Sequence, residues 1–203
     1  LATRFPALDL DPTWHPVETV DYQASFESSF VPTQLSPRVL VAPPWNAPEG
    51  ALVIEPGQGF GTGLHETTRG ALRALDRIAD QVETVLDVGS GSGILALAAA
   101  QLGLQARGLD VDEAACANAR TNAAHNGLDV PFDTTPLASM TAPVDVVLAN
   151  LHAELLVQLA PHILRLTRHY LITAGVLADR EQQVVNAFAG ASSRRAGSAP
   201  ARA

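Results

Sequence analysis

Large aliphatic side chains fall in short runs through the middle of this chain, and each run is followed by a longer stretch with helical spacing. Runs at residues 84–88, 106–110, 130–133, 144–149 and 170–174 have the length and apolar character of buried strands. Between and after them, residues 94–102, 113–126, 154–166 and 178–188 predict helices. Pro161 falls inside one of these and is expected to shorten or kink it, because proline removes a helical N–H. Strands alternating with crossover helices place the chain in the α/β class, as a doubly wound, mostly parallel sheet with helices on both faces.

The flanks read differently. From Thr67 the pattern is amphipathic, with Leu72, Leu75 and Ile78 on one face and Arg69, Arg73 and Arg77 on the other, and Thr67 or Thr68 stands where a cap belongs. Residues 1–48 are rich in proline and scattered aromatics, which predicts a linker or extension packed along a domain surface. A short strand is expected at 39–41, ended by Pro43 and Pro44. Residues 190–203 contain no hydrophobe larger than alanine apart from proline, so they read as a loose tail after a domain spanning 49–189.

Candidate chemistry gathers where strand becomes helix. Val85 to Gly93 reads Val-Leu-Asp-Val-Gly-Ser-Gly-Ser-Gly, a strand broken by glycines ahead of an alanine-rich helix. Such a junction lets backbone approach a nucleotide and presents unpaired helix N–H groups to it. The register beginning at Gly89 gives Gly-x-Gly-x-Gly, which favours S-adenosylmethionine (AdoMet), whereas the register beginning at Gly91 gives Gly-x-Gly-x-x-Ala and leaves NAD open. Asp110 ends the next apolar run, where a carboxylate can accept from both ribose hydroxyls; Asp112 competes for that role but better suits a helix cap. Asn150 ends the run 144–149, and its amide oxygen can accept from an attacking amine; capping the next helix is the alternative. His65 and His152 lie nearest these loops and either could take a proton, while no histidine and carboxylate spacing suggests a metal site.

Composition narrows the classes. The formal charge of −8 makes naked nucleic acid an unsuitable direct partner and a basic protein a suitable one. Every basic residue among the 13 Lys+Arg is arginine, which excludes Schiff-base lysine chemistry and a P-loop. The single cysteine, Cys116, excludes a disulfide framework, and no apolar run has the length of a membrane span, so a cytoplasmic setting is expected.

With these residues in hand, the chain resembles the ribosomal protein L11 methyltransferase (PrmA-like) family of class I AdoMet-dependent enzymes. The most specific match is Glu55-Pro-Gly-Gln-Gly-Phe-Gly-Thr-Gly-Leu-His-Glu-Thr-Thr68, supported by the stretches Leu86–Ala96, Gly108–Asp112 and Ala149–Leu155. The resemblance implies a Rossmann-like methyltransferase sheet and AdoMet contacts at Thr68, Gly89, Asp110 and Asn150. Gly91 joins them from the glycine turn, and the loop through Phe60, Gly61 and Thr62 is expected to fold over the methionine part of AdoMet. It further implies methylation of lysine ε-amines and an N-terminal α-amine on a basic ribosomal protein, large-subunit protein L11, with Asn150 aligning the amine and no indispensable side-chain base. The family's N-terminal recognition domain has no counterpart in this sequence, and the tail after Ala189 stands in place of its closing pair of strands. An AdoMet-binding remnant without transferase activity and, behind it, an NAD-dependent oxidoreductase are the alternatives.

Overall fold

The computed structural model describes residues 30–55 and 65–189. Phe60, Gly61, Thr62, most of the proline-rich extension and the tail therefore lie outside the described residues. By its contacts the chain divides after Phe30, and the unit that begins at Val31 holds both sheets.

Five strands form the main sheet: β4 (Thr84–Val88), β5 (Gln105–Leu109), β6 (Phe132–Asp133), β7 (Val144–Asn150) and β8 (Thr167–Ala174). They are ordered β6-β5-β4-β7-β8, and every neighbouring pair is parallel. The chain thus starts in the middle of the sheet, runs out to one edge, then returns past β4 to build the other half. This reversal opens a crevice at the carboxyl ends of β4 and β7, which is where doubly wound sheets bind ligands.

Side-chain alternation explains why both faces are covered. Val85 and Val146 point into one apolar cluster with α1 (Glu66–Ile78), α2 (Ile94–Gln101) and α3 (Glu113–His125), which supply Leu72, Leu75, Leu97 and Cys116. Their neighbours Leu86 and Val147 point into the opposite cluster with α4 (Ala153–Leu166) and α5 (Glu181–Phe188), which supply Leu156, Ile163, Leu166 and Val184. A period of two in the strands therefore requires helices on both sides.

Several local expectations need correction. α1 is not capped by Thr67 or Thr68; His65 is the cap residue, and its Nδ1 accepts from the Thr67 N–H at 3.3 Å. α4 is not shortened by Pro161 and runs through it to Leu166, because its amphipathic face buries Leu156, Ala160, Ile163 and Leu166. The strand expected at 39–41 is β2 (Val39–Ala42), paired antiparallel with an unforeseen β1 (Thr33–Ser36) and parallel with β3 (Leu52–Val53) in a second, three-stranded sheet. Arg38, between β1 and β2, fastens this sheet to α1: its guanidinium donates to Asp76 Oδ1 and to Asp80 Oδ1. Burial works against the Asp76 charge, but hydrogen bonds from the Arg38 guanidinium and the Arg38 N–H hold its carboxyl below the usual range.

At the opposite end from the crevice, Asp145 ties three strands. Its carboxylate accepts from the Glu83 and Thr84 N–H groups at 3.0 Å each and from Arg168 at 2.7 Å. Burial would raise its pKa, yet these donors, with the Thr84 hydroxyl, bring it down to about 2. A carboxyl depressed by folding contributes stability above its unfolded pKa and loses it as pH falls toward 2. Asp145→Ala strands two backbone donors and should lower the unfolding free energy at pH 7 by roughly 2–4 kcal/mol. Urea melts would measure this, and a loss below about 1 kcal/mol would show that the donors find other partners.

Candidate functional site

The sheet register alone brings the candidate residues together. Val88 pairs with Leu109 and Asp87 with Leu148, so continuing each ladder sets Asp110 and Asn150 level with Gly89, one on either side. The Gly89 and Ser90 N–H groups both donate to the Leu109 carbonyl, at 2.8 and 3.0 Å, which folds the glycine turn over the end of β5. Gly89 has φ +74, a conformation that favours glycine, and a Cβ there would lie 2.3 Å from Leu151 Cδ2, so any larger residue would also have to displace that side chain. Gly91 and Gly93 share the left-handed conformation.

Asp110 is held within this turn. One carboxylate oxygen accepts from the Gly91 N–H at 2.9 Å and the other from the Asp112 N–H at 3.1 Å. Each oxygen keeps a free lone pair, so a diol could still be gripped by the pair. Asp112 is the N-cap of α3 and accepts from the Ala114 N–H at 2.9 Å, the role its position suggested.

Asn150 stands across the turn. Its Nδ2 donates to Thr68 Oγ1 at 3.3 Å, and Thr68 is buried in the first turn of α1. The amide is not the cap of α4; that place belongs to His152. Asn150 is thus free of the local duty that would otherwise account for it.

The two histidines are both engaged at helix starts. His65 Nδ1 takes the Thr67 N–H and lies 2.8 Å from Thr67 Oγ1. His152 Nδ1 faces the Leu155 N–H at 3.4 Å and Glu154 Oε2 at 3.3 Å. The first of these contacts needs a bare nitrogen and the second a protonated one, but either way Nδ1 is committed to the first turn of α4.

Beneath the turn lies Asp87, at 1% exposure. Its Oδ2 accepts from the Ala96 N–H at 3.3 Å, inside the first turn of α2, while Oδ1 and the neighbouring Ser90 Oγ are buried with no hydrogen-bond partner. Burial, against the Ala96 hydrogen bond and with the charge of Asp110 nearby, pushes the Asp87 carboxyl up to about 7. Sequence reading noted this acid without giving it a task; an acid inside an apolar strand is the signal that could have found it. Ala96, the small residue of the alternative NAD register, donates to Asp87 through its backbone, and its complete burial in the core accounts for its size without a dinucleotide. Among the described residues no group of three or more His, Cys, Asp or Glu could hold a metal ion, and no helix is long and apolar enough to cross a membrane.

A parallel sheet of this order, with a glycine turn, an acid and an amide aligned across the carboxyl ends of three strands, defines a Rossmann-like class I methyltransferase fold. A solved ribosomal protein L11 methylase from Lactobacillus delbrueckii subsp. bulgaricus superposes with a TM-score of 0.70 at 29% identity, covering 79% of this chain and 87% of that one. The family model described as ribosomal protein L11 methyltransferase (PrmA) matches residues 4–193. The chain is 41% identical over 204 residues to the ribosomal protein L11 methyltransferase of Thermus thermophilus, covering 94% of this chain and 78% of the relative. The chain belongs to the ribosomal protein L11 methyltransferase family. It is also 40% identical to the Pelobacter propionicus member and 42% identical to that of Geobacter metallireducens, covering 93% and 87% of this chain. It spans only 66% and 62% of the length of those two relatives.

The raised pKa of Asp87 has a consequence for stability. A carboxyl whose pKa is higher in the folded state leaves stability intact at low pH and lowers it as pH rises from about 4 toward 7, where the folded protein must ionise a buried group. Asp87→Asn keeps an oxygen for the Ala96 N–H and removes the charge. Without ligand, it should melt at or above the wild-type temperature at pH 8 and lose the advantage at pH 5. Calorimetric melts at both values would check this, and a variant equally weakened at both would contradict it.

Proposed function

We propose that this chain carries the catalytic portion of an AdoMet-dependent N-methyltransferase that modifies amino groups, lysine ε-amines and an N-terminal α-amine, of ribosomal protein L11. The observation that carries the reading is Asn150, whose side-chain amide stands level with the glycine turn, bonded to Thr68 and unused as a helix cap. Membership of the family supports the substrate, since the relatives at 40% identity and above bear that activity in their names.

The residues present suit the cofactor. Asp110 offers two carboxylate oxygens to a ribose diol, Gly89 and Gly91 expose backbone, and the orphaned Asp87 Oδ1 and Ser90 Oγ are polar atoms that a bound polar group or water would satisfy. Thr68 and Asn150 close the opposite side. Phe60, Gly61 and Thr62 belong to the same reading as a cover over the methionine part. When bound, AdoMet supplies a methyl group on a sulfonium, ready for displacement by a neutral amine.

The chain's own contribution is alignment. An amine that has lost its proton still carries N–H groups, and the Asn150 oxygen accepts from one of them, aiming the lone pair at the methyl. Thr68 holds the other end of that amide, which fixes the direction in which the oxygen points. With His65 and His152 occupied at helix starts, the amine's proton leaves to solvent. The excess of acidic over basic residues in the chain favours approach of a basic protein.

Mass spectrometry of intact L11 incubated with AdoMet tests this directly, using this chain alone and joined to a family recognition domain. Methylation by either supports the proposal; none by either, with AdoMet bound, leaves a cofactor-binding remnant. Asn150→Ala should lower turnover roughly 10²-fold or more while keeping most AdoMet affinity, because misalignment is felt chiefly in the transition state. Unchanged turnover would remove Asn150 from the reaction.

A further inference from the structure

Asparagine is a weak helix former and is costly to bury, because its amide must find partners that the helix does not supply. α3 carries three asparagines at four-residue spacing, Asn118, Asn122 and the C-cap Asn126, and nevertheless buries Asn122 completely. The amides of Asn122 and Asn126 reach chain segments far away in sequence, and Asn126 Nδ2 also donates to the Asn122 carbonyl one turn back at 2.7 Å. Asn126 treats Val53 as a strand neighbour would: its Oδ1 accepts from the Val53 N–H at 2.7 Å, and its Nδ2 donates to the Val53 carbonyl at 2.6 Å. Asn122 does something else. Its Oδ1 accepts from the Glu55 N–H at 2.9 Å, and its Nδ2 donates to the Ser92 carbonyl, also at 2.9 Å.

Ser92 lies inside the glycine turn. The peptide groups of that turn are tied one by one: Gly89 and Ser90 to Leu109, Gly91 to Asp110, and Gly93 back to Ser90. Asn122 adds the tie on the Ser92 carbonyl from α3, as the Leu97 N–H of α2 does on the Gly93 carbonyl at 2.8 Å. Three glycines with left-handed φ give the turn little stiffness of its own, so its ligand-ready shape depends on such ties, and each one missing must be replaced at the moment of binding.

We propose that Asn122 is a positioning residue for the cofactor: its buried amide bridges the Ser92 carbonyl of the glycine turn to the Glu55 N–H and so holds the turn in its binding shape. This rests on the AdoMet reading above. Asn126 fastens the same 53–55 segment without reaching the turn, and so separates positioning of the turn from general support of the fold.

The experiment is calorimetric titration of S-adenosylhomocysteine into the full chain, with wild type, Asn122→Ala and Asn126→Ala compared at a temperature where all three are folded by circular dichroism. Asn122→Ala should weaken binding roughly tenfold, while Asn126→Ala, which loses more hydrogen bonds to the segment, should stay within about twofold of wild type. Should Asn122→Ala fail to fold, Asn122→Asp keeps the oxygen facing Glu55, loses the donor to Ser92, and is expected to show the same tenfold loss. Wild-type affinity in the Asn122 variant, or an equal loss in both variants, would overturn the proposal. Failure of wild type itself to bind would instead overturn the cofactor reading on which it stands.

Discussion

Two N–H groups on one carbonyl decide the shape of this site. Because Gly89 and Ser90 both donate to Leu109, the chain leaving β4 cannot continue as a strand and is bent over the end of β5. That bend places Gly91 where Asp110 can hold it and starts α2 with its first N–H groups above the buried Asp87, with the half-buried Asn150 at the carboxyl end of β7 on the other side. Leu151 then fills the space that a side chain at Gly89 would need. The strand order supplies the rest: with β4 central and β5 and β7 on either side, an acid and an amide must flank the turn.

The order of the elements was legible because the main sheet is buried on both faces, and such strands appear as uninterrupted aliphatic runs. β1 was not legible: Thr-Gln-Leu-Ser has no apolar period, and Leu35 alone carries its apolar burial while pairing with β2 makes it a strand. The caps were misread for a related reason. Threonine is the common choice, yet at the start of α1 His65 precedes it in the chain and its ring reaches the Thr67 N–H, which moves the helix start one residue earlier and turns Thr68 inward toward Asn150. Pro161 was overweighted because the cost of one missing helical bond is smaller than the gain from burying Ile163 and Leu166 beyond it.

Within the site, Asp110 and Asn150 could be read from position, since each closes an apolar run. Asn122 could not. Its partners are a backbone N–H and a backbone carbonyl, neither of which leaves a mark in the sequence; the trace is a row of three asparagines, Asn118, Asn122 and Asn126, at four-residue spacing in an alanine-rich helix, and nothing in it singles out the middle one. Asp87 was visible as an acid in an apolar strand, but its raised pKa follows from complete burial and an unpaired oxygen, which no pattern of residue types reveals.

The central claim is that the glycine turn and Asp110 form a site for the adenosyl cofactor and not for a dinucleotide. Calorimetric titration of the wild-type chain with S-adenosylhomocysteine and, separately, with NAD tests it most directly. One site for S-adenosylhomocysteine with no heat from NAD is the predicted result. Saturable binding of NAD, or no binding of S-adenosylhomocysteine by a folded chain, would contradict it.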